Sequence, residues 1–148
     1  MERKVSANDK QFISFTLGQE NFGLDVMMIE SVERMSSITP VPKTPNYVLG
    51  VTNIRGDIIP IINLRKRLGM DDKEYDDDTR IIICNFDDYR IGLVVDLVKD
   101  VITISEENIQ SSEGIFQDRK NDFISKIIEL DGNYILALDL EKTLDIGE

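Results

Sequence analysis

The sequence predicts a mostly β protein in which two small barrels pack together. Its apolar residues come in short runs, and several runs alternate with polar residues at the period of a half-buried strand. The second half of the chain also echoes the first. Residues 12–32 align with residues 81–101 at a shift of 69, and residues 53–68 align with residues 129–144 at a shift of 76. Strand-rich units of about 60 residues that occur twice are typical of two packed barrels.

The first repeat unit, residues 12–70, opens with an alternating strand. Because successive side chains point to opposite faces, the alternation predicts which side is buried. The predicted buried side carries Ile13, Phe15 and Leu17, and the predicted polar side carries Phe12, Ser14 and Thr16. Residues 1–10 are polar and are predicted to form a flexible N-terminal tail.

A proline-rich loop and a glycine-cornered hairpin follow in the same unit. The apolar spacing in residues 26–32 predicts a short helix or an irregular turn before the next strand. Three prolines in residues 39–45 remove three amide donors, which predicts an extended surface loop. Gly56 supplies the corner of a hairpin. Asn63 is a predicted helix N-cap, with Gly69 as the stop one or two turns later.

An acidic run at residues 71–78 separates the two units and is predicted to be a solvated linker that the core does not need. It does not fit a calcium loop of the EF-hand type, because an acidic residue occupies the position that requires glycine. The second unit, residues 80–145, contains three apolar runs, a polar stretch at residues 105–122 and a hairpin cornered by Gly132.

The composition excludes several classes of function. A net charge of −11 argues against binding to nucleic acid and against direct contact with an anionic membrane. The lack of histidine removes the commonest general base and most zinc sites, and Cys84 lies in an apolar run that predicts a buried thiol. We therefore expect no enzymatic activity, no cofactor and no metal. No secretory signal or membrane-spanning run occurs, which predicts a cytoplasmic protein.

One region of this acidic chain is basic, since Arg55, Arg65, Lys66 and Arg67 lie within thirteen positions. Arg55 stands at the predicted hairpin tip, near Pro60, and a proline indicates an edge strand or a bulge. Two interpretations are open. Arg55 is either a solvated turn residue or an anchor of a protein interface, where a fixed arginine commonly borders apolar surface. The residues alone predict a β-rich binding module.

Four segments of the chain resemble the chemotaxis coupling protein family, CheW. They are FGLDVMMIESV, a proline-spaced loop, VLGVTNIRGDIIPIINLRKRLG and IGLVVDLVKDVITI, and the similarity runs from Phe12 to Leu144. The resemblance implies a CheW-like domain at residues 11–148, made of two SH3-like five-stranded β-barrels around a shared apolar core. It also implies a non-enzymatic adaptor that joins the cytoplasmic tips of chemoreceptors (methyl-accepting chemotaxis proteins) to the regulatory domain of the histidine kinase CheA at membrane-associated receptor arrays.

The same resemblance implies a receptor groove between the barrels and a kinase surface on the other barrel from the hairpin. Carried over by motif, the receptor-binding residues are Ile29, Val32, Gly50, Asn53, Arg55 and Gly56. The kinase-binding candidates, which carry over less well, are Ile81 and Gly92. Ser31 stands where family members often have a glutamate, with Glu30 and Glu33 nearby. The acidic contact is therefore either taken by a neighbouring residue or absent.

The sequence leaves two alternatives to a free-standing coupling protein, which we expect because residues 1–148 hold no room for a further domain. The first is a CheW-like regulatory domain excised from a larger kinase or from a receiver-fused adaptor. The second, from another class, is a carboxylate enzyme or a metal-dependent hydrolase on a β-barrel, since acidic pairs are common in this chain.

Overall fold

A computed structural model describes residues 8–116 and 122–144. In this part of the chain there are eleven strands and two short helices, and their bounds are as follows: β1 Asp9–Leu17, β2 Glu20–Asp25, β3 Ile29–Arg34, β4 Val48–Ile54, β5 Asp57–Asn63, α1 Leu64–Arg67, β6 Arg80–Phe86, β7 Tyr89–Val95, β8 Leu97–Ser105, β9 Ile109–Ser111, β10 Ile124–Leu130, β11 Asn133–Leu138 and α2 Leu140–Leu144. Single turns of 3-10 helix precede β3 and β9. The first confirms the turn predicted after β2.

The strands form two sheets, which we call barrel A and barrel B. Barrel A has the strand order β8-β1-β2-β11-β10-β9, and barrel B has the order β3-β6-β7-β5-β4. Neighbouring strands are antiparallel except for the parallel pairs β2–β11 and β5–β7. The two orders match when β1 is equated with β6, β2 with β7, β8 with β3, and the β10–β11 hairpin with the β4–β5 hairpin. This correspondence is the structural form of the sequence repeat.

The two repeat units exchange strands. β3 leaves the first unit to pair with β6, and β8 leaves the second unit to pair with β1. Barrel B therefore combines strands from residues 29–63 with strands from residues 80–95. The boundaries predicted for the units, residues 12–70 and 80–145, consequently do not separate the two sheets. A repeat in sequence identifies equivalent strands but not the strands with which they pair.

Each sheet closes in the same way. After β3, the chain turns back so that the amide of Thr39 donates to Val51 O on β4, at 2.8 Å, and the amide of Val51 donates to Thr39 O, at 2.9 Å. After β8, the chain forms β9, which pairs with β10. The segment following one edge strand thus pairs with the opposite edge, which closes a small barrel. β9 gives barrel A a sixth strand, where five were predicted.

Three apolar clusters fill this architecture. One lies inside barrel A around Phe12, Ile104 and Ile128, and a second lies inside barrel B around Ile59, Ile61, Ile81, Ile83 and Val94. The largest lies between the barrels and includes Phe15, Phe22, Leu24, Ile82, Cys84, Leu93 and Leu138. The predicted shared apolar core is confirmed. β6 separates two of these clusters, which explains its continuous apolar run.

β1 is also buried on both faces, which the alternation in its sequence did not predict. Phe15 and Leu17 face the shared core as expected, but Phe12 is only 6 % exposed and packs inside barrel A. Ser14 is buried as well, and its hydroxyl bonds with the backbone N–H and C=O of Asp100, both at 3.2 Å. The polar side predicted for Phe12 and Ser14 is therefore wrong, because the barrel interior covers it. β1 begins at Asp9, so residues 9 and 10 of the predicted N-terminal tail belong to a strand, and residues 1–7 of it lie outside the described residues.

The acidic linker is exposed, but two of its carboxylates are engaged. Asp72 accepts a hydrogen bond from Asn63 Nδ2 at 3.1 Å, while Asn63 caps α1 by accepting from the Lys66 amide, as predicted. Asp76 accepts from Lys73 Nζ at 2.7 Å and from the Asp78 amide at 2.9 Å. The linker is solvated, as predicted, and it is also fixed in place by these contacts.

Candidate docking site

The β4–β5 tip, residues 53–57, presents Arg55 to solvent. Arg55 and Gly56 both have positive φ, 52° and 91°, the geometry that a two-residue hairpin needs to match the twist of its strands. The Gly56 amide donates to Asn53 Oδ1 at 3.0 Å, which fixes the turn. The Arg55 side chain is 68 % exposed. Local backbone geometry therefore places this cation at the outermost point of the hairpin.

Arg55 is held from the opposite edge of barrel B. Its Nη1 lies 3.0 Å from Oε2 of Glu33, on β3, and its Nη2 lies 3.5 Å from Oε1 of the same carboxylate. Glu33 is two residues beyond Ser31. The structure thus pairs Arg55 with an acidic residue near Ser31, and an acidic contact with the receptor stays a prediction.

Exposed apolar residues lie close in sequence to both members of this ion pair. Ile58, just after the tip, is 64 % exposed, and Val32, next to Glu33, is 38 % exposed. An open groove of about 370 Å³ runs along the same hairpin and is lined by Ser36, Ser37, Thr39, Val51, Thr52, Asn53 and Ile58. A charged group beside exposed apolar side chains is a common arrangement in protein interfaces. The surface is suited to binding another protein.

Two further predicted receptor residues, Ile29 and Gly50, pack within the fold. Ile29 is half-buried at the start of β3 and packs against the shared core. Gly50 is buried with φ 142°, and a Cβ there would lie 2.0 Å from the backbone O of Thr39. Gly50 is thus required by the strand crossing that closes barrel B.

A separate cleft of about 220 Å³ lies between β6 and barrel A. It is lined in part by Phe12, Met28, Phe86 and Leu140, and it contains none of the six predicted residues.

The two kinase-binding candidates lie in the core of barrel B. Ile81 has no exposed surface, and a Cβ on Gly92 would lie 2.6 Å from Ile61 Cδ1 and 2.7 Å from Ile81 Cγ2. They were predicted on the other barrel from Arg55, but β6 and β7 belong to the same barrel as the tip. The strand exchange accounts for this difference. In this structure neither residue is accessible to a partner.

Sequence reasoning missed a second ionic cluster at the same surface. Arg90, on β7, donates through Nη1 to Asp57 Oδ2 at 2.5 Å and through Nη2 to Glu30 Oε2. These three residues are 33 and 60 positions apart, so no local pattern brings them together. We call this cluster the Arg90 clamp. It joins β3 to the β4–β5 tip.

The other basic residues of the segment after the hairpin are structural. Arg65 forms an ion pair with Asp96 at 2.5 Å, and the Gly18 amide donates to the same carboxylate at 2.7 Å. Burial raises the pKa of Asp96, but the hydrogen bonds from Arg65 and Gly18 outweigh it and hold that pKa below its usual value. Arg67 donates to Thr143 O at 2.7 Å, and its guanidinium lies over the rings of Tyr47 and Phe123.

The described residues offer neither a reactive thiol nor a cluster of metal ligands. Burial raises the pKa of the Cys84 thiol to about 12, so it is not a nucleophile at neutral pH. Within residues 8–116 and 122–144, no cluster of histidine, cysteine, aspartate or glutamate side chains is arranged to hold a metal ion. None of the helices in the described residues is long and apolar enough to cross a membrane.

A family model described as a CheW-like domain matches residues 11–148 of the chain. The chain belongs to the CheW-like family. It is 34 % identical to the chemotaxis protein CheW of Bacillus subtilis, over 98 % of this chain and 92 % of that protein. It is 32 % identical to the chemotaxis protein CheW of Klebsiella aerogenes, over 94 % of this chain and 84 % of that protein.

Among solved structures, the fold matches that of the scaffolding protein TtCheW from Thermoanaerobacter tengcongensis. The TM-score is 0.86, with 34 % sequence identity over 93 % of this chain and 94 % of that one. The predicted pair of SH3-like barrels is therefore confirmed. As a CheW-like chain, the protein is a chemotaxis adaptor or scaffold.

Proposed function

We propose that the protein couples the cytoplasmic tips of chemoreceptors to the regulatory domain of the histidine kinase CheA. In this proposal it is a non-enzymatic scaffold in the cytoplasm that is recruited to membrane-associated receptor arrays. Membership of the CheW-like family and the likeness to a scaffolding protein support this function. The role needs two protein surfaces and no catalytic group.

The observation that carries the proposal is the surface around Arg55. An exposed guanidinium is paired with Glu33, and the exposed apolar residues Val32 and Ile58 lie close to this pair in sequence. A receptor helix with an apolar stripe and an acidic edge would complement this surface. We assign receptor contact to Val32, Asn53 and Arg55, with Ile29, Gly50 and Gly56 setting the shape of the site.

The kinase surface belongs on barrel A in this proposal. The internal repeat equates Val32 with Val101 and Ile58 with Tyr134, and both barrel A residues are 58 % exposed. The tip residue equivalent to Arg55 is Asp131, which also has a positive φ of 52°. Barrel A thus carries equivalent exposed residues with an acidic residue at its tip, which supports end-to-end packing with a similar barrel of the kinase.

Co-sedimentation of the purified chain with a receptor-tip fragment and the kinase regulatory domain tests the proposal. We expect a ternary complex at stoichiometric concentrations, because the two surfaces lie on different barrels. Paired titrations of each fragment alone give the two affinities. Displacement of the kinase domain by saturating receptor fragment would show overlapping sites and contradict simple bridging.

A further inference from the structure

The Arg90 clamp links the two segments that carry the proposed receptor contacts. Glu30 directly follows Ile29 and lies two residues before Val32 on β3, while Asp57 directly follows Gly56 at the tip. Arg90 lies between them on β7 and reaches both carboxylates with separate nitrogens. One guanidinium therefore spans strands that hold no backbone pairing with each other, since β3 and β5 are separated by β6 and β7.

The Arg90 guanidinium is better shielded from solvent than that of Arg55, although Asp57 is 62 % exposed and Glu33 only 20 %. The Arg90 side chain is 29 % exposed, against 68 % for Arg55. Charge-assisted hydrogen bonds strengthen as water is excluded, whereas an exposed pair contributes little. Arg90 also offsets the repulsion between the two carboxylates that it contacts. It thus ties the tip to β3 through carboxylates on both elements, beside the tie that the Arg55–Glu33 pair makes.

We infer that Arg90 is a positioning residue for receptor binding, a role that rests on the proposed function of the Arg55 surface. Arg90 fixes the distance between Val32 and Arg55 without contacting the receptor itself. Because β7 is an inner strand of barrel B, loss of the guanidinium leaves the ladder of backbone hydrogen bonds intact. The tip is then tied to β3 by the more exposed Arg55–Glu33 pair, and the receptor must order the two segments on binding.

Arg90→Met tests this role, because methionine keeps an unbranched apolar stem and removes the guanidinium. Arg34→Met is the matched control, an exposed arginine at the end of β3. We expect Arg90→Met to raise the Kd for a receptor-tip fragment by about three- to tenfold, within the range of coupled ion pairs, while Arg34→Met leaves it unchanged. Affinity for the kinase regulatory domain should remain at the wild-type value in both variants.

A double-mutant cycle identifies the mechanism. Glu30→Gln with Asp57→Asn should weaken receptor binding in the wild-type background and add nothing in the Arg90→Met background. Amide hydrogen exchange at residues 53–57 should be faster in Arg90→Met than in wild type. Wild-type receptor affinity in Arg90→Met would overturn the inference, and so would equal losses for both partners together with a large fall in Tm.

The exchange measurement separates this inference from the proposed function. If the wild-type chain binds no receptor fragment, the proposed function fails, but faster exchange at the tip of Arg90→Met still supports the clamp. Unchanged exchange at residues 53–57 overturns the clamp whatever the binding result. An additive cycle would also overturn it, because the carboxylates would then act without Arg90.

Discussion

Asp96 and Arg65 form a shielded ion pair that ties α1 to the end of β7. The two side chains are only 15 % and 14 % exposed, and the pair uses two nitrogens of Arg65, Nε at 2.9 Å and Nη2 at 2.5 Å. The Gly18 amide, in the turn between β1 and β2, donates to the Asp96 carboxylate at 2.7 Å. Three elements from both repeat units therefore converge on one carboxylate.

Neutralising this carboxylate should destabilise the protein. In Asp96→Asn, Arg65 and the Gly18 amide lose a charged acceptor in a shielded site, and we expect the free energy of unfolding to fall by about 1–3 kcal/mol. Asp88→Asn, in the exposed turn before β7, is the control and should have no measurable effect. Denaturant melts of both variants check this. Equal stability of Asp96→Asn and wild type would show that water satisfies the same groups.

Asp76 should make stability depend on pH in the acid range. The hydrogen bonds from Lys73 and from the Asp78 amide lower its pKa from the ordinary 3.8 to about 2. A carboxyl whose pKa is lower in the folded state stabilises the fold above its unfolded pKa, and that contribution is lost as the pH falls through the folded pKa. The difference in free energy of unfolding between wild type and Asp76→Asn should be constant above about pH 5 and shrink towards pH 2.

Asp77 supplies the comparison within the same linker. Asp77→Asn should change the free energy of unfolding by less than about 0.5 kcal/mol at any pH in this range, as for an ordinary surface substitution. Neutralisation in the linker is thus expected to matter at the two engaged carboxylates, Asp72 and Asp76, and to be tolerated at Asp77. Identical pH profiles for the two variants would show that the Asp76 contacts do not persist in solution.

Arg55→Ala should separate binding from folding. The side chain is 68 % exposed, so Tm should remain near the wild-type value, because exposed ion pairs contribute little. Receptor-tip affinity should weaken by about 1–3 kcal/mol, as for an interface anchor, and kinase affinity should be retained. Arg55→Lys should retain receptor affinity only in part, since lysine keeps the charge but lacks the planar fork of donors. Full receptor affinity in Arg55→Ala would restore the interpretation of a solvated turn residue.

Gly92→Ala tests the kinase candidates as core residues. The added methyl would lie 2.6 Å from Ile61 Cδ1 and 2.7 Å from Ile81 Cγ2, so we expect a loss of about 1–3 kcal/mol of stability from overpacking. Gly23→Ala, at the equivalent position of β2, is a graded control because its nearest neighbour, Ile135 Cγ2, is 3.2 Å away. Gly23→Ala should therefore lower the free energy of unfolding by less than Gly92→Ala does. Selective loss of kinase binding by Gly92→Ala, at unchanged stability, would contradict a purely structural role.

The sequence predicted the positions of the strands and turns better than it predicted which strands pair. Alternation and turn residues are local properties, so they identified the hairpin at Gly56, the cap at Asn63 and most strands. Strand pairing is decided by which apolar faces can be buried together. That property belongs to the whole chain, and it explains why the crossing of β3 and β8 was not predicted.

The candidate site likewise combines residues that local patterns identify with contacts that depend on strand pairing. The motif led to Arg55, which follows from the hairpin tip, and to Val32, which the structure shows to be exposed on an edge strand. It did not identify Glu33 or Arg90 as charged partners at this surface, since their contacts depend on the register of strands far apart in sequence. Ile81 and Gly92 were misplaced for the same reason.

The exchange of β3 and β8 between the repeat units has a consequence for the history of the fold. In a chain of half this length, the third strand would pair either with the first strand of the same unit or with the first strand of a second copy. With the pairing seen here, a single-unit precursor would be a strand-swapped homodimer. In that account, gene fusion through what is now residues 71–78 converted a twofold assembly into one polypeptide, after which the two tips were free to diverge to Arg55 and Asp131.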